Sequence, residues 1–333
     1  MVVLVVQEKN KTMHNNTILI TGGAGFVGSH LVKYMVEKYP NYNIHVMDSL
    51  TSTSNLDNLE SVKDKITLHC EDISVGRFVD RIYEIYKFDG VINLAVDSRV
   101  DNSLEEPHIF LQTNILGTHT LIKNAIKHNS RFLQVSTDEV YGGLEYNDGR
   151  TFYEFTPLNP QTPYAASKAS ADFLIDSFVH TYGLNASVTH SSNNYGSHQQ
   201  EEKLIPKTIK CLKENNQIPI YGNGDNIRDW IHVEDHVQAL DVVYHTGKIG
   251  EHYNVGGGNE YTNLELVRLI CRNYDTLKGI VPGTSSRLIS FVNDKIGHDL
   301  RYSINFDKLY TKLRWKPTIN FSLGLVETIK SYM

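Results

Sequence analysis

Thr21-Gly22-Gly23-Ala24-Gly25-Phe26-Val27-Gly28 joins a short apolar run to a pattern typical of an amphipathic helix. Glycines at this spacing let the chain turn tightly and let its backbone approach a pyrophosphate, whose negative charge is stabilised at the amino end of a helix. The stretch therefore predicts a strand, a phosphate-binding loop and a helix, in that order.

Asp48 supports the same interpretation from the end of the next predicted strand. A carboxylate at this place accepts hydrogen bonds from both hydroxyls of the adenosine ribose, and it repels the 2′-phosphate that distinguishes NADP. NAD is therefore the predicted cofactor. Asp72, after the third predicted strand, is interpreted either as an adenine contact or as the cap of a surface helix.

Around this loop, short apolar runs alternate with helical patterns. The runs, bounded by glycine, asparagine or aspartate, occupy residues 17–20, 44–47, 66–68, 91–95, 132–135 and 186–189. Continuous apolar strands are typical of a parallel sheet covered on both faces. Helical patterns lie between them at residues 27–38, 75–86, 109–127 and 163–182. The predicted fold class is therefore α/β, with a doubly wound parallel Rossmann sheet.

Three segments are predicted along the chain. Residues 1–16 are predicted to be a mobile N-terminal extension, because their apolar run is too short for a bilayer and no basic region precedes it. Residues 17–190 are predicted to form the NAD-binding Rossmann domain. Residues 191–333, where glycine-rich turns interrupt the pattern, are predicted to form mainly a smaller C-terminal α/β lobe that binds substrate at the carboxyl edge of the sheet.

Composition argues against several classes of function. The net charge of −6 is spread along 333 residues without a basic stripe, which argues against a nucleic-acid partner. No stretch approaches the roughly 18 apolar residues of a membrane span. Cys70, Cys211 and Cys271 are odd in number and widely spaced, which argues against a disulfide framework and against a zinc site. A reducing, cytoplasmic location and a site without metal are predicted.

A candidate catalytic group follows in the middle of the chain. Tyr164 and Lys168 lie one helical turn apart, and a nearby ammonium together with a positive nicotinamide ring is expected to lower the pKa of the phenol. This pair is enough to move a hydride. Thr137, Asp138 and Glu139 end the predicted strand before it, and the adjacent carboxyl groups suggest a second reaction, an elimination.

Several motifs together resemble a known family. They are the glycine loop at 21–28, Ser-Thr-Asp-Glu-Val-Tyr-Gly at 136–142, Pro-Tyr-Ala-Ala-Ser-Lys at 163–168, Ser-Asn-Asn-Tyr-Gly at 192–196, Glu-Lys-Leu-Ile-Pro at 202–206, Pro-Ile-Tyr-Gly at 219–222, Ile-Arg-Asp-Trp at 227–230 and Gly-His-Asp at 297–299. From about residue 17 to the C-terminus, the chain resembles the extended short-chain dehydrogenase/reductase superfamily and, within it, the nucleotide-sugar 4,6-dehydratases.

The resemblance implies an internal redox cycle on dTDP-glucose or UDP-glucose that yields a 4-keto-6-deoxy sugar for rhamnose or deoxysugar synthesis. Tyr164, held by Lys168, would deprotonate the glucose 4-hydroxyl as NAD accepts the hydride from C4. Glu139 would remove the C5 proton, Asp138 would protonate the leaving 6-hydroxyl, and the hydride would return to C6. Thr137 would hydrogen-bond the sugar O4. Asp138 must stay protonated, which an apolar site and the neighbouring Glu139 carboxylate are expected to enforce.

The resemblance also implies two sets of binding residues. The cofactor set is Gly22, Gly25, Phe26, Val27, Gly28, Asp48, Asp72, Ile73, Leu94, Ala95, Thr113, Tyr164, Lys168 and Asn194. The nucleotide-sugar set is Ser98, Thr137, Asn193, Lys203, Leu204, Pro219, Tyr221, Arg228, Asn263 and His298. Arg228 fits this role independently, because a guanidinium fork suits two phosphate oxygens.

Some positions depart from the usual dTDP-glucose pattern and leave the nucleotide open. They are Val96, Asp97, Arg99, Asn102, Lys295, Ile296 and Leu300. Thymine and uracil differ by one methyl group, worth about 1–3 kcal/mol in a pocket, so dTDP-glucose and UDP-glucose are both retained. A 4-epimerase, a dehydratase that inverts C5 and a catalytically silent NAD-binding sensor are the other hypotheses; Asp138 and Glu139 argue against the first, and Tyr164 and Lys168 against the last.

Association is predicted from two helical patterns. Residues 109–127 and 163–182 carry apolar stripes that would pair with a second copy as a four-helix bundle, as in relatives of this family. The same stripes are also compatible with ordinary surfaces that face the sheet. A homodimer is the prediction.

Overall fold

The computed structural model describes residues 16–97, 103, 105–146, 148–294 and 297–333. Its central feature is a seven-stranded parallel sheet. The strands are β1 (Thr17–Thr21), β2 (Asn43–Met47), β3 (Ile66–His69), β4 (Gly90–Asn93), β5 (Arg131–Thr137), β6 (Ala186–Ser191) and β10 (His252–Val255). They lie in the order β10-β6-β5-β4-β1-β2-β3, which confirms the predicted doubly wound sheet. The order reverses between β1 and β4, the place where such sheets open a binding crevice.

Helices cover both faces of the central sheet and also pack on the smaller sheets described below. In chain order they are α1 (Phe26–Lys38), α2 (Gly76–Tyr86), α3 (Pro107–Phe110), α4 (Thr118–His128), α5 (Pro163–Tyr182), α6 (Leu204–Glu214), α7 (Val233–Thr246), α8 (Asn263–Leu277), α9 (Asp307–Leu313) and α10 (Phe321–Tyr332). Short 3-10 segments occupy Leu56–Lys65, Asp138–Tyr141 and Thr284–Leu288.

Side chains alternate across β1 and build two apolar layers. Ile18 and Ile20 pack in one layer with Leu31 of α1 and Leu240 of α7. Leu19 points the other way, into a layer that contains side chains of α2, α4 and α5. Because successive residues of a strand face opposite sides, a continuous apolar run is what a sheet with two covered faces requires.

Smaller sheets carry the substrate side of the molecule. One contains β7 (Asn193–Tyr195), β9 (Ile227–His232) and β11 (Glu260–Thr262), and the other pairs β8 (Ile218–Tyr221) with β12 (Ile289–Val292). They share a separate core with α6, α8 and α10. β10 returns from this part of the sequence to pair with β6 in the central sheet. The division of the chain at residue 190 stays a prediction.

A wide helical turn interrupts the helix that follows β4. Leu111–Gly117 is a π-helical segment between α3 and α4, so the predicted helix at 109–127 contains a bulge. Inside it, Asn114 is buried and its amide donates to Ser167 Oγ at 2.8 Å, which ties the segment to α5. Such bulges are frequent at functional sites, because they turn a side chain out of the regular helical rows.

Some of the predicted residues lie outside the ranges that the structure describes. The predicted extension at 1–16 lies, except for Asn16, outside the described residues, as do Ser98, Arg99, Asn102, Lys295 and Ile296. Within the described ranges, no helix is long and apolar enough to cross a membrane, and no group of three metal-binding side chains is present.

Candidate active site

A cavity of about 480 Å³ opens at the carboxyl ends of the central strands. All predicted cofactor and catalytic residues line it, together with three residues of the predicted nucleotide-sugar set, one of which, Thr137, is also a predicted catalytic residue. These lining residues are Gly22, Gly25, Phe26, Val27, Gly28, Asp48, Asp72, Ile73, Leu94, Ala95, Thr113, Thr137, Asp138, Glu139, Tyr164, Lys168, Asn193, Asn194 and Lys203. The fold therefore gathers at one edge of the sheet groups that are far apart in the sequence.

The glycine loop forms one end of this cavity. Gly25 is the N-cap of α1 and provides no side-chain cap, so the first amide groups of that helix have no side chain over them. At Gly28, a Cβ atom would lie 2.1 Å from Gly22 O, which shows how closely the helix sits on the loop. This cradle fits a pyrophosphate, since anions are stabilised where helix amides point outward.

Gly28→Ala is expected to weaken NAD binding about tenfold or more and to lower the free energy of unfolding by about 1–3 kcal/mol. The physical reason is the backbone clash with Gly22 O, which only a shift of the loop relieves. Calorimetric titration with NAD and thermal unfolding measure the two effects. Gly149→Ala is the matched control, because a Cβ there meets no atom within 4 Å. Unchanged NAD affinity in Gly28→Ala would remove the loop from the cofactor site.

Asp48 is fixed as an acceptor beside the loop. Its Oδ2 accepts a hydrogen bond from Ala24 N at 2.9 Å, and its Oδ1 accepts from Leu50 N at 2.9 Å and Ser54 Oγ at 2.6 Å. A carboxylate offers about four lone-pair positions, so three protein donors orient it and leave capacity for a ribose hydroxyl. Its position fits the predicted role.

Asp72 is not the cap of α2, whose N-cap is Val75 without a side-chain cap, and its contact with adenine stays a prediction. Asp72 lines the cavity, and its Oδ1 accepts from Ser74 N at 2.7 Å in the turn that leads to α2. The hydrogen bond within this turn therefore occupies one of the two carboxylate oxygens of Asp72.

Asn194 is held by a histidine that sequence reasoning missed. His236 Nδ1 lies 2.8 Å from Asn194 Oδ1, so Nδ1 carries the proton and donates it. Burial lowers the pKa of His236 to about 3, and the ring is therefore neutral. Its Nε2 is buried without a hydrogen-bond partner among the described residues, and the side chain lines the cavity. An unpartnered buried acceptor of this kind fits a ligand donor. No local sequence pattern marks His236.

The carboxyl pair begins the 3-10 segment after β5. Thr137 is its N-cap and accepts a hydrogen bond from Glu139 N, while its hydroxyl lies 3.3 Å from Asp138 Oδ1. Burial raises the pKa of Asp138 well above its ordinary value, and the charges of Glu139 and Asp229 raise it further. The expectation that Asp138 stays protonated therefore agrees with the surroundings of the residue.

Glu139 has different neighbours. Burial and the charge of Asp299 leave its pKa above the ordinary value as well, but the positive charges of Arg228 and Lys203 partly offset this rise. Two adjacent carboxyl groups thus differ in environment: the buried Asp138 favours its acid form, and the cations beside Glu139 favour its anion. Such a difference is how proteins separate an acid from a base.

Tyr164 and Lys168 lie on the buried face of α5. Lys168 Nζ donates to Val135 O at 2.7 Å, and burial lowers its pKa to about 8. The prediction that the Lys168 ammonium and a nicotinamide ring together lower the Tyr164 pKa stays a prediction, because the protein's own groups alone have the opposite net effect. Burial raises the pKa of Tyr164, and the nearby carboxyl groups Glu139 and Asp138 raise it further, because they disfavour a second negative charge. The positive ring of NAD is then the remaining source of a lower value.

The rest of the predicted nucleotide-sugar set lies beyond the cavity lining. These residues are Leu204, Pro219, Tyr221, Arg228, Asn263 and His298. Asn226 connects the segments of two of them. Its backbone carbonyl accepts a hydrogen bond from Asn263 N, and its side-chain amide donates to the carbonyl of Asp299, the residue after His298. Glu139 is close to both the cavity and this second region, because the charge of Lys203, which lines the cavity, and the charge of Arg228, which does not, both act on its carboxyl group.

Arg228 has its guanidinium engaged by the chain itself. Nη1 donates to Ile227 O at 2.7 Å and Nη2 to Asp299 O at 2.9 Å, and the group stacks on the Tyr302 ring at 4.3 Å. Together with a bond from Nη1 to Leu300 O at 3.4 Å, these bonds use three of the five N–H groups of the guanidinium, so they are compatible with the predicted bidentate contact with a diphosphate. That role stays a prediction.

Comparison with known proteins gives consistent matches. The GDP-mannose 4,6 dehydratase family matches residues 19–328. A curated relative, dTDP-glucose 4,6-dehydratase of Haemophilus influenzae, is 41% identical over 331 residues, covering 95% of this chain and 97% of the relative. The crystal structure of dTDP-glucose 4,6-dehydratase from Bacillus anthracis in complex with NAD is 40% identical, with a TM-score of 0.86 over 95% of this chain and 96% of that one. DesIV, the dTDP-glucose 4,6-dehydratase from Streptomyces venezuelae with NAD and TYD bound, is 37% identical, with a TM-score of 0.88 at the same coverage.

Proposed function

The chain belongs to the GDP-mannose 4,6 dehydratase family and is an NAD-dependent hydro-lyase, and we propose that its substrate is dTDP-glucose. The observation that carries the proposal is one cavity that is lined by a carboxyl pair, the buried Asp138 and the half-buried Glu139, and by Tyr164 and Lys168. Curated relatives that cover 95% of this chain are named dTDP-glucose 4,6-dehydratase, which supports this nucleotide. The proposed product is a 4-keto-6-deoxy sugar, a precursor in the synthesis of rhamnose or other deoxysugars.

The residues of the cavity fit NAD. Gly25 at the start of α1 would receive the pyrophosphate, Asp48 the adenosine ribose, and Asn194 and His236 polar groups of the nicotinamide side. When bound, NAD supplies an acceptor for the hydride from C4 and returns that hydride to C6 in the same turnover.

The chain's own groups carry the proton transfers. Tyr164 takes the proton of the sugar 4-hydroxyl while Lys168, held against Val135 O, provides a positive charge beside it. The resulting 4-ketone makes the C5 proton acidic, and Thr137 stabilises the developing charge on O4. Glu139 then removes the C5 proton, and Asp138 gives a proton to the departing 6-hydroxyl. As the hydride returns to C6, Glu139 gives a proton back to C5, which completes the 4-keto-6-deoxy sugar. Water is the only by-product.

The carboxyl pair distinguishes this reaction from 4-epimerisation. An epimerase needs to remove and return a hydride at one carbon, for which Tyr164 and Lys168 are enough. In an epimerase, Asp138 would be a buried carboxylic acid with no role in the reaction, and burying a polar group without a hydrogen-bond partner is unfavourable. Its Oδ2 has no hydrogen-bond partner among the described residues, which supports a contact with substrate.

Product analysis tests the proposed function. The protein is incubated with dTDP-glucose and, in a parallel reaction, with UDP-glucose, and the products are identified by mass. We expect dTDP-glucose to lose one water and no net NADH to accumulate. Conversion of UDP-glucose alone would overturn the proposed nucleotide, and a product of unchanged mass but inverted C4 would overturn the dehydration. Proton NMR of the product separates retention from inversion at C5.

The cytoplasm is the proposed location. Cys70, Cys211 and Cys271 are all free thiols in the structure, and proteins that keep free cysteines belong to reducing compartments more often than to oxidising ones.

A homodimer is the proposed assembly. Leu111 and Leu116 on the π-helical segment are 48% and 57% exposed, and Phe173 on the adjacent α5 is 58% exposed. Large apolar side chains clustered on two neighbouring helices are unfavourable in water and mark interaction surfaces. A second copy would cover this face and build the predicted four-helix bundle.

Phe173→Glu is expected to convert the dimer to a monomer at micromolar concentration, because a carboxylate at the centre of an apolar interface is desolvated without a partner. Sedimentation velocity measures the change. Phe155→Glu is the matched control, since Phe155 is 82% exposed on a loop away from these helices and its replacement should leave the sedimentation coefficient unchanged. A Phe173→Glu protein that still sediments as a dimer would place the interface elsewhere.

A further inference from the structure

A buried polar cluster extends from the cavity into the protein interior, and Ser136 is the one member that lines the cavity. Its members are Ser136, Tyr141, Asp172, His190 and Asn254, and all five are buried. They come from β5, the 3-10 segment after it, α5, β6 and β10. The proposed proton transfers use none of these residues, although two of them, Asp172 and His190, are titratable groups in the protein interior.

Asp172 extends the catalytic row of α5. Tyr164, Lys168 and Asp172 follow one another at intervals of one helical turn, so their side chains share a face. Asp172 Oδ2 accepts from Ser136 Oγ at 2.7 Å and lies 3.2 Å from His190 Nε2. Its Oδ1 is buried without a hydrogen-bond partner among the described residues. Asp172 therefore presents a carboxyl group to the Lys168 side of the helix.

The hydrogen bonds of the cluster require a proton between His190 and Asp172. Asn254 Nδ2 donates to Phe152 O and Asn305 O, so Asn254 Oδ1 is the acceptor of the Tyr141 hydroxyl, 2.9 Å away. Because the Tyr141 hydroxyl donates its hydrogen bond to Asn254 Oδ1, Tyr141 Oη must be the acceptor in its hydrogen bond with His190 Nδ1, which lies 2.8 Å away.

The other ring nitrogen then decides the charge of the pair. A neutral His190 with its proton on Nδ1 would turn a bare Nε2 towards Asp172 Oδ2, and two acceptors at 3.2 Å repel each other. One proton must therefore lie between Nε2 and Oδ2. It makes the pair either an imidazolium with a carboxylate or an imidazole with a carboxylic acid.

Lys168 depends on which of these states is present. Its ammonium is buried and has a backbone carbonyl, Val135 O, as hydrogen-bond partner. Burial lowers the pKa of Lys168, and Asp172 is the charged neighbour that raises it. An anionic Asp172 therefore keeps Lys168 charged, and a protonated Asp172 does not.

We propose that Asp172 and His190 are positioning residues that share one buried proton and thereby set the charge of Lys168. The inference rests on the proposed function, because Lys168 matters only if Tyr164 and Lys168 carry the first proton transfer. Neither residue touches the reacting atoms. His190 competes with Lys168 for the negative charge of Asp172, and loss of either partner should move the titration of Lys168 in a different direction.

Other titratable groups surround the pair. His252 of β10 stacks near His190 with ring centroids 5.2 Å apart, and it is ion-paired with Asp176, the next acid along α5. The charge of Glu154 also acts on His190, and Asp138 and Glu139 act on Tyr164 from the other side. Because these groups stay in place in the variants described next, differences between variants report on Asp172 and His190.

The test is the pH dependence of the first oxidation, followed as NADH formed on mixing with dTDP-glucose. Wild-type activity should fall on the alkaline side near the Lys168 pKa of about 8. In Asp172→Asn the anion is gone, and this limb should move to lower pH by about one unit or more. In His190→Asn no imidazole shares a proton with Asp172, so the full negative charge of the carboxylate acts on Lys168 and the limb should move to higher pH. Glu327→Gln, which removes an exposed acid of α10, should leave the limb unchanged.

A second readout needs no substrate. Nitrogen-15 NMR of the histidine side chains separates protonated from bare ring nitrogens, and the signals absent from His190→Asn identify His190. We expect both ring nitrogens of His190 to carry or share protons in the wild type and Nε2 to be bare in Asp172→Asn. A bare Nε2 in the wild type, or limbs that move in the same direction in both variants, would overturn the inference. Failure of the wild type to oxidise dTDP-glucose would instead overturn the proposed function and leave the NMR result standing.

Discussion

Glu139→Gln is expected to stop dehydration, with turnover lowered roughly 100- to 10,000-fold, while the bound NAD is still reduced by dTDP-glucose. The amide cannot accept the C5 proton, but the first oxidation requires only Tyr164 and Lys168. NADH should therefore accumulate on the enzyme to an extent that the wild type never shows. Near-ultraviolet absorbance measures the reduction, and mass analysis of the sugar measures the missing loss of water.

The surroundings of Glu139 make this variant informative. Arg228 and Lys203 lower the pKa of Glu139 while burial raises it, so the cations favour the anionic base. Glutamine preserves the shape and removes the charge. Glu145→Gln, on the exposed surface, is the matched control and should turn over like the wild type. Full turnover in Glu139→Gln would assign the C5 proton to another base.

Tyr164→Phe is expected to block the cycle one step earlier. Without the phenol, no group of the chain removes the proton from the 4-hydroxyl, and the first oxidation should fall roughly 100- to 10,000-fold. Neither NADH nor dehydrated sugar should form. Rapid mixing of enzyme, NAD and dTDP-glucose measures the initial rate, and this result differs from that for Glu139→Gln, in which NADH accumulates.

The packing around Tyr164 separates chemistry from folding in this variant. The Tyr164 ring meets the ring of Phe110 edge to face, with centroids 6.3 Å apart, and phenylalanine retains that contact. The melting temperature should therefore change little. Tyr182→Phe, an exposed tyrosine on the same helix, is the control and should keep its full rate. An unchanged initial rate in Tyr164→Phe would exclude the phenol as the base.

The architecture and much of the site follow from local sequence signals. The apolar runs at 17–20 and 132–135 were enough to predict β1 and β5, because a strand buried on both faces needs continuous apolar residues. Gly28 marks the loop, because a Cβ atom there would clash with the backbone of Gly22. The row of Tyr164 and Lys168 follows from the period of a helix. These are short-range rules, and they hold without knowledge of the rest of the chain.

Features that depend on contacts between distant segments could not be predicted in this way. His236 contacts Asn194 only after β7 and α7 are placed side by side. In the same way, Asp172 and His190 are within hydrogen-bond distance only when β6 lies against α5. The direction of the Tyr164 pKa shift is another such feature. It depends on how deeply Asp138 and Glu139 are buried beside the phenol, which residue spacing does not report.

The return of β10 to the central sheet has a consequence for how the protein is made. During synthesis, β6 leaves the ribosome long before residues 252–255, which form β10. The backbone amide and carbonyl groups on the outer edge of β6 therefore stay unpaired until the intervening elements have been synthesised. An open parallel edge is a template for pairing with another nascent chain. A gene fragment that ends at residue 190 would keep that edge permanently, and we expect it to accumulate in inclusion bodies although it encodes the whole glycine loop and the catalytic helix.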